Sequence, residues 1–458
     1  MRPTPRQHHP AHAGGGGHPL RARAGGRRPR LPGRPSPAVG PAHGGPDPGA
    51  PRRARRLRPA GGRPSGPPAR PRRGRPLSAE SRPARPRHLE VFAVEDTSVQ
   101  VCWDRLPPGA VALEAGGSRV EVEGGGGPGS VSLDGLPPDA ALELTVTAHG
   151  QPRRRARRFR TLPPPPGRLL SRFATVNDLH IGERGFGLVQ RLHDDGGPDG
   201  EPYPVRCARA AVREAVAWGA DTLVAKGDLT WSGRPGQWET IAGILGSAGV
   251  PVHAVPGNHD TGRKSVEGGP VLRGHGVDMR DGEWAVDLAG IRVVMVDSTW
   301  RGHSRGELDE ARRARVAALA AGGGGPAFVA LHHYPQPFRL PHMYPAGLPA
   351  DQARALLDAL AAANPSTLVA TGHSHRHRVH RRTPVRVAEV GATLHYPGTW
   401  AGYAVHEGGI RQVVRRVAAP EAMAWTERTR RVLGGLWGWW ASGRLADRCF
   451  TLGWAGPR

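Results

Sequence analysis

The stretch Pro251-Val-His-Ala-Val-Pro-Gly-Asn-His-Asp260 passes from apolar residues directly into a polar loop. Residues 251–255 form a short run with β-branched side chains, bounded by prolines, which predicts a buried strand. The Gly-Asn-His-Asp segment then lies where that strand ends. Because open α/β sheets place their sites at strand ends, this stretch predicts both a fold class and the position of a site.

Four more polar loops follow predicted strands. The strands are expected at 172–176, 221–225, 284–288, 291–296, 327–331 and 366–370. The four loops are Asn177-Asp178-Leu179-His180, Gly227-Asp228, His332-His333-Tyr334-Pro335 and Gly372-His373-Ser374-His375. Helices are expected at about 205–218, 235–247, 307–321 and 349–363. The alternation of strands and helices predicts an α/β domain in which five strands bring polar side chains to one edge.

The side chains in these loops predict a metal site. They offer Asp and Asn oxygens and His nitrogens without a thiolate, a set that suits Mn, Fe or Zn. Asp178 and His180 are two residues apart at a strand end and share a face, as do His373 and His375, so each pair can close on one ion. Asp228, alone on its loop, fits a carboxylate that bridges two ions, the device by which two-metal hydrolases hold a phosphoryl group.

The order Asp-x-His, Gly-Asp, Gly-Asn-His-Asp, His-x-Pro, Gly-His-x-His resembles the calcineurin-like metallophosphoesterase superfamily over residues 171–376. Within it, the chain is most similar to the bacterial cyclic-nucleotide phosphodiesterase branch. The resemblance implies a four-layer α/β/β/α sandwich and two divalent metal ions. It also implies two ligand sets that share one carboxylate: Asp178, His180, Asp228 and His375 for one ion, and Asp228, Asn258, His333 and His373 for the other.

The same resemblance implies the roles of the residues beside the ligands. His259 faces the substrate and donates a proton or hydrogen bond to the leaving oxygen, and Asp260 orients its imidazole. Either His332 or His333 is the metal ligand of the fourth motif. The family pattern places the ligand two residues before Pro335, which favours His333 and leaves His332 on the opposite face. Trp231 stands where many relatives have a second Asp, three residues after the Gly-Asp motif.

The function implied is metal-dependent hydrolysis of a small phosphate ester, with a phosphodiester as first choice, by attack of a metal-bridging hydroxide. The sequence has no Walker loop with its Lys-Ser/Thr pair, so a phosphate-binding loop of that kind does not compete. No organic cofactor is predicted. Two alternatives stay open: a nuclease or nucleic-acid-binding phosphoesterase that uses an Arg-rich tail, and a phosphomonoesterase.

That tail carries most of the charge of the 458-residue chain. Of a net charge of +25, residues 1–88 contribute +19, from 21 Arg against Asp47 and Glu80. Residues 1–85 are mainly Arg, Pro, Gly, Ala and His, which predicts a disordered tail. An electrostatic arm for nucleic acid is one interpretation. We favour a solvated tail, because no aromatic residues are interleaved to stack on bases.

The remaining boundaries follow from composition. Residues 86–163 contain short alternating segments and resemble a fibronectin type III module, a small all-β sandwich, through Trp103 and the closing Phe159-Arg-Thr-Leu. Residues 168–419 are the predicted catalytic domain. Residues 420–458 contain a predicted helix followed by three tryptophans, Trp437, Trp439 and Trp440. Two positions are open for these tryptophans. They either anchor the chain at a membrane interface or a partner, or they pack onto the core or the sandwich.

Composition also predicts a cytoplasmic location. The three cysteines are widely spaced, which argues against a disulfide framework. The sequence shows neither the apolar run of a signal peptide nor a stretch long enough for a transmembrane segment.

Overall fold

The computed structural model of the chain describes residues 88–148, 151–187, 192–194, 196–197, 199–338, 345–381, 383 and 385–455. The predicted tail, residues 1–85, lies outside them. Among the described residues, no helix combines the length and the apolar composition that crossing a membrane requires.

Seven antiparallel strands between residues 90 and 160 form two small sheets. They are β1 (Glu90–Val94), β2 (Ser98–Trp103), β3 (Gly109–Ala115), β4 (Ser118–Gly124), β5 (Gly129–Asp134), β6 (Ala141–Ala148) and β7 (Gln151–Arg160). The sheets have the orders β1-β2-β5 and β4-β3-β6-β7. Val99 and Val101 of one sheet and Leu113 and Leu144 of the other are buried in one cluster, because alternate residues of a strand share a face.

Two larger sheets and a two-stranded ribbon follow. Their strands are β8 (Leu169–Val176), β9 (Gly185–Phe186), β10 (Leu192–His193), β11 (Thr222–Lys226), β12 (Val252–Val255), β13 (Val277–Asp278), β14 (Glu283–Leu288), β15 (Ile291–Val296), β16 (Ala327–Leu331), β17 (Thr367–Thr371), β18 (Arg378–His380), β19 (Arg386–Glu389), β20 (Thr399–His406), β21 (Gly409–Arg416) and β22 (Phe450–Gly453). The first sheet has the order β13-β12-β11-β8-β20-β21-β22, and the second β14-β15-β16-β17-β19-β18. The ribbon pairs β9 with β10.

The described residues contain eight α-helices, four of which cover the outer sides of the two large sheets. The eight are α1 (Tyr203–Ala217), α2 (Pro235–Gly246), α3 (Gly269–Gly274), α4 (Glu310–Ala321), α5 (Ala350–Ala363), α6 (Pro420–Arg430), α7 (Leu436–Ser442) and α8 (Leu445–Arg448). The apolar faces of α1 and α2 share a buried cluster with the first sheet, and those of α4 and α5 share one with the second. The fold is therefore mixed α/β, and α1, α2, α4 and α5 each lie within three residues of their predicted bounds.

The inner faces of the two large sheets share a third cluster. Phe173 and Val224 come from the first sheet, and Phe328 and Leu368 from the second, and all four are buried. The five polar loops are therefore divided between two sheets: β8, β11 and β12 carry three, and β16 and β17 carry two. The strand pattern alone predicted one sheet edge, whereas the resemblance implied two stacked sheets. Strand periodicity cannot distinguish one buried sheet from two that face each other, because strands in both are apolar on both faces.

A buried carboxylate connects the small sheets to the larger fold. Glu95, after β1, accepts hydrogen bonds from Arg411 Nη2 at 3.0 Å, Arg415 Nη1 at 2.7 Å and Trp218 Nε1 at 3.1 Å. The described residues all fall in one compact unit, Ala79–Arg458. These contacts fix the small sheets against the first large sheet.

Candidate metal centre

The loops that carry the predicted ligands have unusual backbone conformations. Eight non-glycine residues of the described chain have positive φ, and five of them are predicted ligands: Asp178 (51°), His180 (43°), Asp228 (50°), His373 (65°) and His375 (52°). Such conformations cost energy for residues with a Cβ atom, and they concentrate where a fold holds a functional site in place. The strained positions thus coincide with the predicted ligands.

Four predicted ligands meet around Asp178. Its Oδ1 atom lies 3.3 Å from His375 Nε2 and 3.8 Å from His180 Nε2. His180 Nε2 lies 3.5 Å from Asp228 Oδ2. Asp178, His180 and His375 each offer one donor atom within 4.8 Å of the others. This group contains three of the four residues inferred for the first ion, and Asp228 lies beside His180.

A second group contains the three histidines His332, His333 and His373. His332 Nε2 lies 3.2 Å from both Asp228 Oδ2 and His373 Nδ1, so this group adjoins the first at Asp228. The expectation that His332 lies on the opposite face from His333 is wrong. The strand β16 ends at Leu331, so its alternation of faces does not extend to these two rings, whose centroids are 5.0 Å apart.

The buried polar atoms of the site fit a metal ion. His180 Nδ1 and Nε2, Asn258 Oδ1 and His333 Nε2 are buried and have no hydrogen-bond partner in the described part of the chain. Buried polar atoms are otherwise nearly always paired, because leaving one unpaired costs free energy. Divalent cations that bind imidazole nitrogen and carboxylate or amide oxygen would satisfy them. The residues present therefore fit the implied metal ions.

The electrostatics of the site differ among the predicted ligands. Burial lowers the pKa of His180, but the hydrogen bond to Asp178 and the charge of Asp228 outweigh burial and raise this pKa to about 9, which favours the charged form. Burial and the nearby His332 lower the pKa of His373 to about 3, and burial and His373 hold the pKa of His333 well below its usual value. Burial alone would raise the pKa of Asp228, but the charges of surrounding histidines, His332 first, hold it well below the usual range. Neutral imidazoles and ionised carboxylates are the forms that coordinate cations.

His259 lies at one side of this cluster. Its backbone N–H donates to Asp228 Oδ1 at 2.9 Å, and its Nδ1 atom lies 2.9 Å from the carbonyl oxygen of Trp231. The rings of Trp231 and His259 stack with centroids 4.6 Å apart. The Trp231 carbonyl therefore orients the imidazole and leaves its Nε2 atom for other contacts.

Asp260 does not have its predicted role of orienting His259. Its carboxylate accepts hydrogen bonds from the backbone N–H groups of Gly257 (2.9 Å), Leu229 (3.0 Å) and Thr230 (2.8 Å) and from the Thr230 hydroxyl (2.7 Å). These donors occupy both oxygens of a buried side chain. Asp260 instead holds the Gly-Asn-His-Asp loop against the loop that follows Asp228.

Three site residues were not predicted. Glu183 Oε1 lies 3.3 Å from His395 Nε2, and His395 Nδ1 lies 3.3 Å from His375 Nδ1. The Ser298 hydroxyl lies 2.9 Å from His333 Nδ1. Glu183 follows His180 by three residues, a spacing that could have indicated it. Ser298 and His395 belong to no motif and reach the site only through the tertiary fold.

A cleft of about 510 Å³ opens over the ligands. Its lining includes His180, Asp228, Asn258, His373 and His375, together with four aromatic residues: Phe186, Trp231, Trp437 and Trp440. The sequence predicted that the tryptophans anchor to a membrane interface or a partner, or pack onto the core or the sandwich. Trp437 and Trp440 instead border the cleft. Trp439 points to solvent and is 78% exposed.

Comparison with known proteins identifies the segment that carries this site. Residues 171–377 match the family model described as calcineurin-like phosphoesterase. This segment contains all seven predicted ligands as well as His259 and Asp260. The match supports the predicted superfamily for this part of the chain.

Two curated bacterial relatives are similar to parts of the chain. The glycerophosphodiester phosphodiesterase GpdQ of Enterobacter lignolyticus (strain SCF1) is 30% identical over 178 residues, 38% of this chain and 63% of that protein. A probable cyclic nucleotide phosphodiesterase of Rhodococcus erythropolis (strain PR4 / NBRC 100887) is 32% identical over 154 residues, 30% of this chain and 48% of that protein. The chain thus spans about half to three fifths of these relatives.

Among solved structures, the purple acid phosphatase PPD1 from yellow lupin (Lupinus luteus) seeds is 11% identical. The alignment covers 74% of this chain and 72% of that one, with a TM-score of 0.38. A score this low carries no argument about function.

Proposed function

We propose that this protein is a metal-dependent phosphodiesterase that hydrolyses a small phosphodiester at a dinuclear centre. The observation that carries the proposal is the convergence, from five loops on two sheets, of seven side chains predicted to bind metal. Three of them have buried donor atoms without a partner among the described residues. The similarity to two proteins named as phosphodiesterases supports the same choice. The proposal also includes the predicted organisation of the chain. It comprises the four-layer sandwich, the fibronectin-like module at 86–163, the catalytic domain at 168–419 and a cytoplasmic location.

Two ligand sets would hold the ions. One comprises Asp178, His180, Asp228 and His375, and the other comprises Asp228, Asn258, His333 and His373. The short distances around Asp178 and Asp228 support the first set, and the unpaired Asn258 and His333 atoms support the second. Bound Mn, Fe or Zn would supply the positive charge that activates water and neutralises the phosphoryl oxygens.

The residues around the ligands would position the reacting groups. The backbone of His259 is tied to Asp228 Oδ1, so the imidazole keeps a fixed place relative to the carboxylate shared by both sets. Because Nδ1 donates to the Trp231 carbonyl, Nε2 is the atom left to face a leaving oxygen. Burial lowers the pKa of His259, so Nε2 would donate a proton only from the imidazolium form. Glu183, through His395, would hold the ring of His375 in ligating orientation.

The lining of the cleft favours a diester over a monoester. Its described residues include neither Lys nor Arg. A monoester carries a second negative charge, and no side-chain cation of this lining would neutralise it. The aromatic residues instead offer apolar surface to a second ester group. The phosphomonoesterase remains the second candidate, and the nuclease alternative depends on the tail, which lies outside the described residues.

A substrate panel tests the proposal. With Mn²⁺ added, we expect faster hydrolysis of bis-p-nitrophenyl phosphate than of p-nitrophenyl phosphate, and turnover of at least one cyclic nucleotide. The Asp228→Asn variant is expected to lose more than the roughly 10- to 100-fold that removing an outer-shell partner costs. A wild type that hydrolyses nothing beyond this control would overturn the enzyme assignment. Preference for the monoester would replace the diesterase assignment.

A further inference from the structure

One side of the cleft is formed by aromatic residues that the proposed chemistry does not use. We call Phe186, Trp437 and Trp440 the aromatic wall. The ring centroids of Phe186 and Trp437 are 5.0 Å apart at an interplanar angle of 63°, and those of Trp437 and Trp440 are 5.3 Å apart at 41°. Val432 and Leu433 border the same cleft, so the wall presents apolar surface beside charged ligands.

The aromatic wall and His259 contact different residues of the ligand cluster. A series of neighbouring rings connects them: the centroid distances are 4.6 Å for His259–His180, 5.3 Å for His180–His375 and 6.3 Å for His375–Trp437. Trp231 stacks on His259 at the first end, and Trp437 stands at the last. His259 therefore adjoins His180, whereas Trp437 adjoins His375.

The C-terminal segment is held firmly enough to shape a binding surface. Trp425 of α6 donates from Nε1 to the Leu394 carbonyl at 2.9 Å and stacks on Tyr203 with centroids 3.8 Å apart. After α6, Leu433, Gly434 and Gly435 all have positive φ, which turns the chain so that α7 borders the cleft. Leu433 lacks the conformational freedom of glycine, so this turn is a strained, specific conformation.

We propose that the aromatic wall, with Trp437 at its centre, is a subsite for the ester group that stays on phosphorus, and that it selects flat aromatic groups over small alkyl groups. The inference rests on the proposed phosphodiesterase function. If His259 beside His180 serves the leaving oxygen, the ester group that is not cleaved is free to extend toward His375, beside which Trp437 lies. A planar group gains offset or edge-to-face contacts with such rings that a methyl group does not make.

Two substrates with the same leaving group separate the two ester positions. Bis-p-nitrophenyl phosphate and methyl p-nitrophenyl phosphate both release p-nitrophenol, and they differ only in the group that stays. We expect Trp437→Ala to lower the ratio of their kcat/KM values about tenfold, mainly through KM for the aromatic diester. Trp437→Phe should retain most of the ratio. Trp439→Ala, at a residue that is 78% exposed, is the matched control and should leave the ratio as in the wild type.

The outcomes distinguish the two proposals. A wild type that hydrolyses neither diester overturns the phosphodiesterase function and the subsite with it. A wild type that hydrolyses both, together with a folded Trp437→Ala variant of unchanged ratio, overturns the subsite alone. If Trp437→Ala does not fold, Trp437→Leu provides the same test, because leucine keeps apolar volume but loses the flat ring. An unchanged ratio in Trp437→Leu would equally overturn the subsite.

Discussion

His333 Nδ1 lies 2.9 Å from the hydroxyl oxygen of Ser298, and Nε2 of the same buried ring has no hydrogen-bond partner in the described chain. Metal-binding histidines characteristically pair one ring nitrogen with an outer-shell group and coordinate through the other. His332 differs, because its Nδ1 lies 2.9 Å from the Lys226 carbonyl and its Nε2 lies 3.2 Å from Asp228 Oδ2. This difference supports His333 as the ligand.

Replacing each of these histidines separately should therefore give different metal contents. We expect His333→Ala to lose one of two bound Mn²⁺ ions per chain, because it removes a ligand. His332→Ala should keep both ions but bind them more weakly, because it removes a neighbour of Asp228. Metal analysis after equilibrium dialysis measures both. The reverse pattern would assign the ligand to His332.

Removing the Ser298 hydroxyl should weaken metal binding without unfolding the protein. Ser298→Ala frees the His333 ring to change orientation, and losing such an outer-shell contact costs roughly 10- to 100-fold in metal affinity. A Mn²⁺ titration measures the shift. Ser247→Ala is a suitable control, since its hydroxyl bonds only the Ile244 carbonyl at the end of α2. Equal affinities of the two variants would contradict the role of Ser298.

Asp260 should matter for stability more than its predicted role implied. Asp260→Ala leaves the N–H groups of Gly257, Leu229 and Thr230 without their acceptor, and each buried unpaired donor costs about 1–3 kcal/mol. We expect a loss of at least about 3 kcal/mol in the free energy of unfolding by urea. Asp287→Ala, which breaks an exposed pair with Arg292, should cost under about 1 kcal/mol. Similar losses in both variants would refute the assignment.

The buried carboxylate of Glu214, which is not one of the predicted metal ligands, should make the stability of the protein depend on pH. Burial raises the pKa of Glu214, although the N–H groups of Ala418 and Ala419 donate to its carboxylate at 2.9 and 3.0 Å. Its stabilising contribution is complete below the unfolded pKa of about 4.5 and is lost as the pH rises through the higher folded value. Relative to Glu214→Gln, the wild type should therefore lose stability above pH 4.5, as thermal unfolding between pH 4 and 8 would show. A constant difference would contradict this prediction.

The sequence predicted those parts of the fold and site that depend on local pattern. Apolar runs such as 251–255 identified strands. The residues directly after these strands identified the ligand loops, because the strand fixes the position of the side chains at its end. The pairing of Asp260 was not predictable, since the four groups that donate to it come from two loops whose approach depends on sheet pairing. The position of Trp437 was also not predictable from the sequence. It depends on the left-handed backbone conformation of Leu433, and leucine does not favour that conformation.

The number of Mn²⁺ ions bound per chain, measured by mass spectrometry after dialysis at saturating metal, tests the central claim most directly. We predict two ions per chain in the wild type and at least one fewer in Asp228→Asn, because Asp228 would serve both ions. Hydrolysis of bis-p-nitrophenyl phosphate should increase as the second ion binds. A wild type that holds one ion or none, or an Asp228→Asn variant that holds two and hydrolyses the diester at the wild-type rate, would contradict the dinuclear centre.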